Sequence, residues 1–317
     1  MPMDAACRPH PLVEPTMTTP HDLLGEYEGH LSQGIDREEL IACADKIPPL
    51  PHAVLKVLKL LDDPDSDASQ VAEAVSSDAG LTASLLKLAN SAAFAQAGRV
   101  VSVEQAVTTV GFSKLRSLML ATTLRGMARR GPVDQLIWEN SLATALIGRR
   151  LAEQVAKPWA DEIFLMGLLH GLGQFVLLAN ENTRVSYAGV LRRVTENGVD
   201  YVTAELDEIG FSHPLLGALV ANRWNFPPDV CQAILHYHDP LEGIDTTADR
   251  KLALVKLADL LAHAAGLGHP NGFPVDHETI RQLLHCLGLI RTEGDVVPAL
   301  IDEAQEQFKT EAPMWTT

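Results

Sequence analysis

The sequence predicts an all-α protein, and three observations carry that expectation. Apolar residues recur at helical spacing along most of the chain, the spacing that builds one buried stripe on a helix. The apolar fraction, 46%, is built from Leu, Ala and Val, while aromatics supply only 5%. Strands favour β-branched and aromatic side chains instead. No segment alternates apolar and polar residues convincingly over more than four positions.

The elements follow in order. Residues 1–20 hold Pro2, Pro9, Pro11, Pro15 and Pro20 among small polar residues, and are expected to be a disordered tail. Residues 21–47 are expected to add a helical extension, a helix from Asp22 to Asp45 weakened by Gly25, Gly29 and Gly34. Pro48, Pro49 and Pro51 force extended backbone and mark the entry to the folded domain. Val54, Leu55, Val57, Leu58 and Leu61 form a helical stripe over His52–Leu61. Asp67 caps the next helix, with Gln70 as its capping-box partner. Leu81, Leu85, Leu88 and Ala92 share a face of another. Ser102 begins a short helix ending at Gly111, and Ser113 is expected to cap a longer one.

Gly131-Pro132 is a break and a candidate subdomain boundary. Helical patterns then run over 133–155, 159–179, 184–196, 201–209, 214–224, 228–236 and 249–265. Residues 266–274, rich in Gly and Pro, read as a linker, and helices near 277–287 and 295–308 finish the chain. The expected organisation is a domain over 48–265, divided into 48–130 and 131–265, and a C-terminal helical extension over 266–317.

The formal charge is −16, from 25 Lys and Arg against 41 Asp and Glu. Such a chain is repelled by phosphate backbones, so nucleic acid is not an expected partner. Arg125, Arg129 and Arg130, and the pair Arg192 and Arg193, read as solvated helix ends suited to the helix dipole. Local binding of a phosphorylated ligand is the alternative. Cys7, Cys43, Cys231 and Cys286 are scattered and form no C-x-x-C pair, as expected of reduced thiols in the cytoplasm. No membrane span and no secretory signal are expected from the hydropathy pattern.

Two groups of motifs resemble a known family. The first is Ser77-Asp78-Ala79-Gly80-Leu81-Thr82 through Leu88-Ala89-Asn90-Ser91, followed by Ser102-Val103-Glu104-Gln105-Ala106-Val107 and Val110-Gly111. The second is Leu168-Leu169-His170-Gly171-Leu172-Gly173-Gln174, then Glu205, Gly210-Phe211-Ser212-His213, Trp224, Ile234-Leu235-His236-Tyr237-His238-Asp239-Pro240 and Leu257-Ala258-Asp259. With the Pro-Pro-Leu-Pro entry at residues 48–51, their order and spacing resemble the HDOD domain family, a branch of the HD phosphohydrolase superfamily, over about residues 40–265. The resemblance implies an N-terminal helical bundle packed on a C-terminal HD-like bundle.

It also implies where a metal site would lie. Active members hold divalent metals with a first His, an adjacent His-Asp pair and a later Asp, and the metal makes hydroxide from bound water. Here Asn140 stands at the position of the first His, and the pair reads His170-Gly171. An Asn oxygen is neutral and a poor replacement for imidazole, and Gly has no ligand atom. Only His170 and Asp259 remain, so no catalytic residue, metal or cofactor is expected. The expected vestigial pocket comprises Asn140, His170, Gly171, His213, His236, His238 and Asp259. Its imidazoles are read as hydrogen-bonding within the pocket or capping helix ends, with a zinc site as the alternative. The literal pairs His21-Asp22 and His238-Asp239 lie outside the motif. His52, His263, His269, His277 and His285 read as ordinary surface or helix residues. Asn90 reads as a clamp on nearby backbone, and Trp138, Trp159 and Trp224 as core or subdomain-interface residues.

The implied function is that of a non-catalytic regulator in a bacterial signalling network, a pseudoenzyme touching signalling proteins in trans, since no alternating strand–helix run marks a receiver or cyclase domain. Two alternatives stay open. One is a sensor of a cyclic dinucleotide or other phosphorylated ligand, with Arg149, Arg150 and Arg184 as candidate contacts. The other is residual metal-dependent phosphohydrolase activity.

Overall fold

The computed structural model describes residues 40, 43, 50–91, 94, 99–128, 131–240, 244–268, 276–290 and 296–315. Among these it is all-α and contains no strand. The expected tail over 1–20 and nearly all of the extension over 21–47 lie outside the described residues, as do Arg129, Arg130 and His269. Of the extension, Leu40 and Cys43 are described; both are helical and buried.

Five helices come first: α1 (His52–Asp62), α2 (Ala68–Ser76), α3 (Ala79–Ala89), α4 (Val103–Val110) and α5 (Phe112–Met127). The caps explain their starts. Asp67 and Gln70 form the reciprocal capping box that their spacing predicts. Asp78 accepts from the Leu81 amide and Ser102 from the Gln105 amide. The expected cap at Ser113 is a correction: Gly111 is the N-cap of α5, and Ser113 lies inside its first turn. Gly111 sits at φ +81°, a turn between α4 and α5 that a side chain would strain. Asn90 clamps the chain as expected, donating from Nδ2 to the Leu86 and Val100 carbonyls and accepting from the Val100 amide, each at 2.9 Å.

The long α6 (Pro132–Val155) starts with Pro132 at its first turn, where a missing amide costs nothing. It packs against α7 (Ala160–Leu169) so closely that a Cβ on Gly167 would lie 2.9 Å from the Ala145 backbone. The helix expected over 159–179 is two helices, α7 and α8 (Leu172–Ala179), separated at His170-Gly171. An unbroken apolar pattern hides this break. His170 explains it: its Nδ1 lies 2.6 Å from the Gly167 carbonyl, one of the orphan acceptors at the end of α7. Within Lys157–Ala179 an 18-residue window has a mean hydropathy of 1.6, enough to cross a membrane by composition, yet 89% of that window is buried inside the fold.

Then come α9 (Glu181–Asn197), α10 (Tyr201–Glu208), α11 (His213–Arg223), α12 (Pro228–His236) and α13 (Thr247–Ala264). Of the expected linker, residues 266–268 are described and form a turn against α6. Helix α14 (His277–Cys286) follows, and α15 (Val297–Trp315) runs beyond the expected end near residue 308. The last helix lies across α3, α5, α6 and α13, so it bridges early and late helices. Trp315 packs its ring 4.6 Å from Phe164, and Gln307 donates to the Leu146 carbonyl. One hydrophobic cluster runs from Leu40 to Trp315.

Candidate functional site

Four parts of the fold converge on one polar pocket. Helix α6 presents Asn140 and the end of α7 presents His170. Helix α13 presents Asp259 and, one turn later, His263. The turn after α12 presents Tyr237 and His238, with Tyr201, Gln174, Ile137 and Gly268 completing the wall. The pocket holds about 20 Å³, room for one water, and is partly open to solvent, with His238 only partly buried.

Asp259 organises the site. Its Oδ1 accepts from Asn140 Nδ2 at 3.3 Å and lies 3.0 Å from His263 Nε2 and 3.4 Å from His170 Nε2. Burial opposes a charge there, but His263 beside it and bonds from His170 and His263 hold the carboxyl well below the usual carboxylate range. His170 Nε2 is 3.0 Å from Asn140 Oδ1. The ring nitrogen of His170 that faces the pocket is therefore engaged by Asn140. Burial, reinforced by His213, pushes His238 well below the ordinary imidazole value.

A second polar group lies behind the first. His213 is fully buried; its amide and its Nδ1 both meet Glu205 Oε2 at 2.7 Å. Its Nε2 is 2.5 Å from the Tyr237 hydroxyl. The Tyr237 ring meets His170 edge-on at 5.0 Å and lies 4.0 Å from His238, so the two groups touch through Tyr237. Burial pushes the Glu205 carboxyl well above its ordinary value, with Asp200 adding to the rise and the His213 amide opposing it.

The expected residues thus separate. Asn140, His170, His238 and Asp259 line the pocket. His213 stands behind it. His236 is not among the lining residues: its side chain is 30% exposed and its Nδ1 bonds Asp239 at 2.6 Å. His238, two residues on, is also only partly buried, yet it lines the pocket. Gly171 lies at the α7–α8 turn, where a Cβ would face Ser141 Oγ at 3.1 Å and Gln174 Oε1 at 3.4 Å. Ser141 Oγ is buried with no hydrogen-bond partner among the described residues.

Sequence reasoning missed His263, assigned to the ordinary helix residues; its side chain is 8% exposed and bonds Asp259. The i, i+4 spacing from Asp259 was the available signal. Tyr201 was also missed as a pocket residue. The candidate phosphate-binding arginines are engaged elsewhere: Arg149 with Glu153 and Asp161, Arg150 with Glu303, Arg184 with Asp134. None lines the pocket. Among the described residues no group of three or more His, Cys, Asp or Glu side chains is placed to hold a metal ion.

An all-helical fold with a His- and Asp-lined pocket between these helices defines an HD-like protein. A family model for the HDOD domain matches residues 47–240, and the chain belongs to that family. An HDOD domain protein of unknown function from Geobacter sulfurreducens is 25% identical, with a TM-score of 0.69, covering 88% of this chain and 99% of that one. A protein from Marinobacter aquaeolei VT8, provisionally called a signal transduction protein, shares the fold at 23% identity and a TM-score of 0.65, covering 94% of this chain and 66% of that one. An uncharacterised protein of Treponema pallidum (strain Nichols) is 27% identical over 203 residues, 62% of this chain. The chain spans 38% of that curated relative's length.

Proposed function

We propose that this chain is a non-catalytic regulatory protein that works by contact with other signalling proteins of a bacterial network. The observation that carries the reading is at Gly171. Where the family's paired carboxylate would stand, the backbone bears no side chain, and Ser141 Oγ faces that position with no partner among the described residues. A carboxylate there would have accepted the Ser141 hydroxyl. Asn140 then takes up His170 Nε2 and Asp259 Oδ1, the two groups left from the ligand pattern. The pocket's strongest donors and acceptors are spent on one another, which supports a structural role for it. A water-sized cavity and arginines paired elsewhere do not favour the nucleotide-sensor reading.

The test is metal content and turnover together. Full-length protein prepared without chelator or metal-affinity tag is expected to carry far less than one equivalent of iron, manganese or zinc by elemental analysis. It is also expected to leave a generic phosphodiester, bis(p-nitrophenyl) phosphate, uncleaved when Mn²⁺ or Fe²⁺ is supplied. Hydrolysis that is abolished in Asp259→Ala would overturn the proposal.

A further inference from the structure

Helix α15 lies wholly beyond residues 47–240, the stretch matched by the family model. It is long but thinly seated. Of its 19 residues five are buried: Val297 and Trp315 at the ends, with Ala304, Gln307 and Ala312 between them. Its other large apolar side chains, Leu300, Ile301, Phe308 and Met314, are only partly buried. Helix α6, on which it rests, buries 14 of its 24 residues. Polar bonds supply much of the seat. Gln307 Nε2 donates to the Leu146 carbonyl at 3.0 Å, and Gln305 Nε2 donates to the Ala265 carbonyl at 2.9 Å. Arg150 of α6 pairs with Glu303. Lys87 of α3 donates at 3.1 Å to the Pro313 carbonyl, one of the acceptors that a helix end leaves over. A segment with few buried apolar side chains opens at a lower free energy than the core beneath it.

We propose that α15 is a displaceable strap, and that the groove it fills across α3, α6 and α13 is a docking site for an acidic amphipathic helix of a partner protein. The seated helix defines the chemistry of the guest. Asp302, Glu303, Glu306 and Glu311 outnumber Lys309 along α15, while the groove supplies Arg150 and Lys87. Ala304 and Ala312 are small enough for the helix to lie close. An aromatic anchor on the guest takes the place of Trp315, whose ring stands 4.6 Å from that of Phe164. Laying the apolar face of such a helix into a groove is a recurring mode of recognition. While α15 is seated the guest must displace it, so the strap weakens docking according to the fraction of molecules in which it is raised. The inference deepens the reading of a protein that works by contact. Its test needs neither metal nor substrate, so it stands or falls separately from the absence of turnover.

The probe is a fluorescein-labelled synthetic peptide of residues 296–317, titrated into the full chain and read by anisotropy. Trp315→Ala in the full chain weakens the strap and leaves the groove intact. That variant is expected to bind the peptide about tenfold more tightly than the parent does. A peptide that itself carries Trp315→Ala is expected to bind the variant about tenfold more weakly than the unchanged peptide, since it has lost the anchor. In the parent, amide hydrogen exchange is expected to run about tenfold faster across residues 304–312 of α15 than across residues 142–151 of α6. Glu303→Ala combined with Gln307→Ala removes the strap's bonds to Arg150 and to the Leu146 carbonyl, and is expected to tighten peptide binding about threefold. It is the deciding variant where Trp315→Ala does not fold. A folded deciding variant that binds the peptide no more tightly than the parent overturns the proposal. So does equal binding of the two peptides, or parent α15 exchanging as slowly as α6.

Discussion

At the residue scale, two buried carboxyls are pushed in opposite directions by different surroundings. Asp259 is surrounded by donors from α6, α7 and α13, and its carboxyl sits well below the ordinary value. Its ionised form stabilises the fold above the unfolded-state value of about 3.9, and that contribution is lost as pH falls towards the lower folded value. Asp259→Ala removes the common partner of Asn140, His170 and His263, and is expected to cost about 3 kcal/mol at neutral pH. Urea titration should show this penalty shrinking below about pH 4. Glu205 is raised, so the sign reverses. Its contribution is complete below about pH 4.3 and is lost as pH rises through the raised folded value. The stability difference between Glu205→Gln and the parent should therefore move in favour of the variant with rising pH. A difference that falls with pH would show the carboxyl to be held ionised.

At the element scale, close approaches between helices position the pocket. Helix α8 leaves the His170-Gly171 turn and meets the start of α11 at Gly173, where a Cβ would lie 1.9 Å from the His213 carbonyl oxygen. That approach places the His213 ring between Glu205 and Tyr237. Gly173→Ala must push α8 and α11 apart, at an expected cost of about 3 kcal/mol in denaturant unfolding. Gly111→Ala is different: nothing lies within 4 Å of its Cβ, so only the positive φ is strained. Its expected cost is about 1 kcal/mol. The contrast separates crowding from conformational strain.

At the scale of the whole molecule, α15 ties the first five helices to the later ones. Lys87 Nζ on α3 donates to the Pro313 carbonyl at 3.1 Å, Arg150 on α6 pairs with Glu303, and Trp315 is buried against Phe164 of α7. Trp315→Ala is expected to destabilise the protein by about 3–5 kcal/mol. Because one hydrophobic cluster spans the chain, far-ultraviolet circular dichroism and tryptophan fluorescence should report coincident transitions in the parent protein. Separate transitions would show that the two groups of helices unfold independently.

Helix starts were legible in the sequence wherever a local rule governs them. Asp67 with Gln70, Ser102 and Pro132 each act within one turn of their own position, so neighbours along the chain suffice to read them. The family motifs were legible for a related reason: Asn140, His170 and Asp259 occupy spaced positions that could be compared one by one, and the fold brings all three into hydrogen-bonding range. The break at His170-Gly171 was not legible, because uninterrupted apolar residues on both sides look like one helix. Nor was the exposure of His236 or the seat of Gly268 on α6, whereas the pairing of His263 with Asp259 had a local signal in their i, i+4 spacing. The first two depend on contacts between residues as far apart as Leu136 and Gly268. By itself, then, the sequence determined most helix starts and the order and spacing of the family motifs, because caps, periodicity and spacing are local properties. Only the tertiary structure decided that Asn140 and His170 meet Asp259, because that depends on how helices distant in the chain pack against one another.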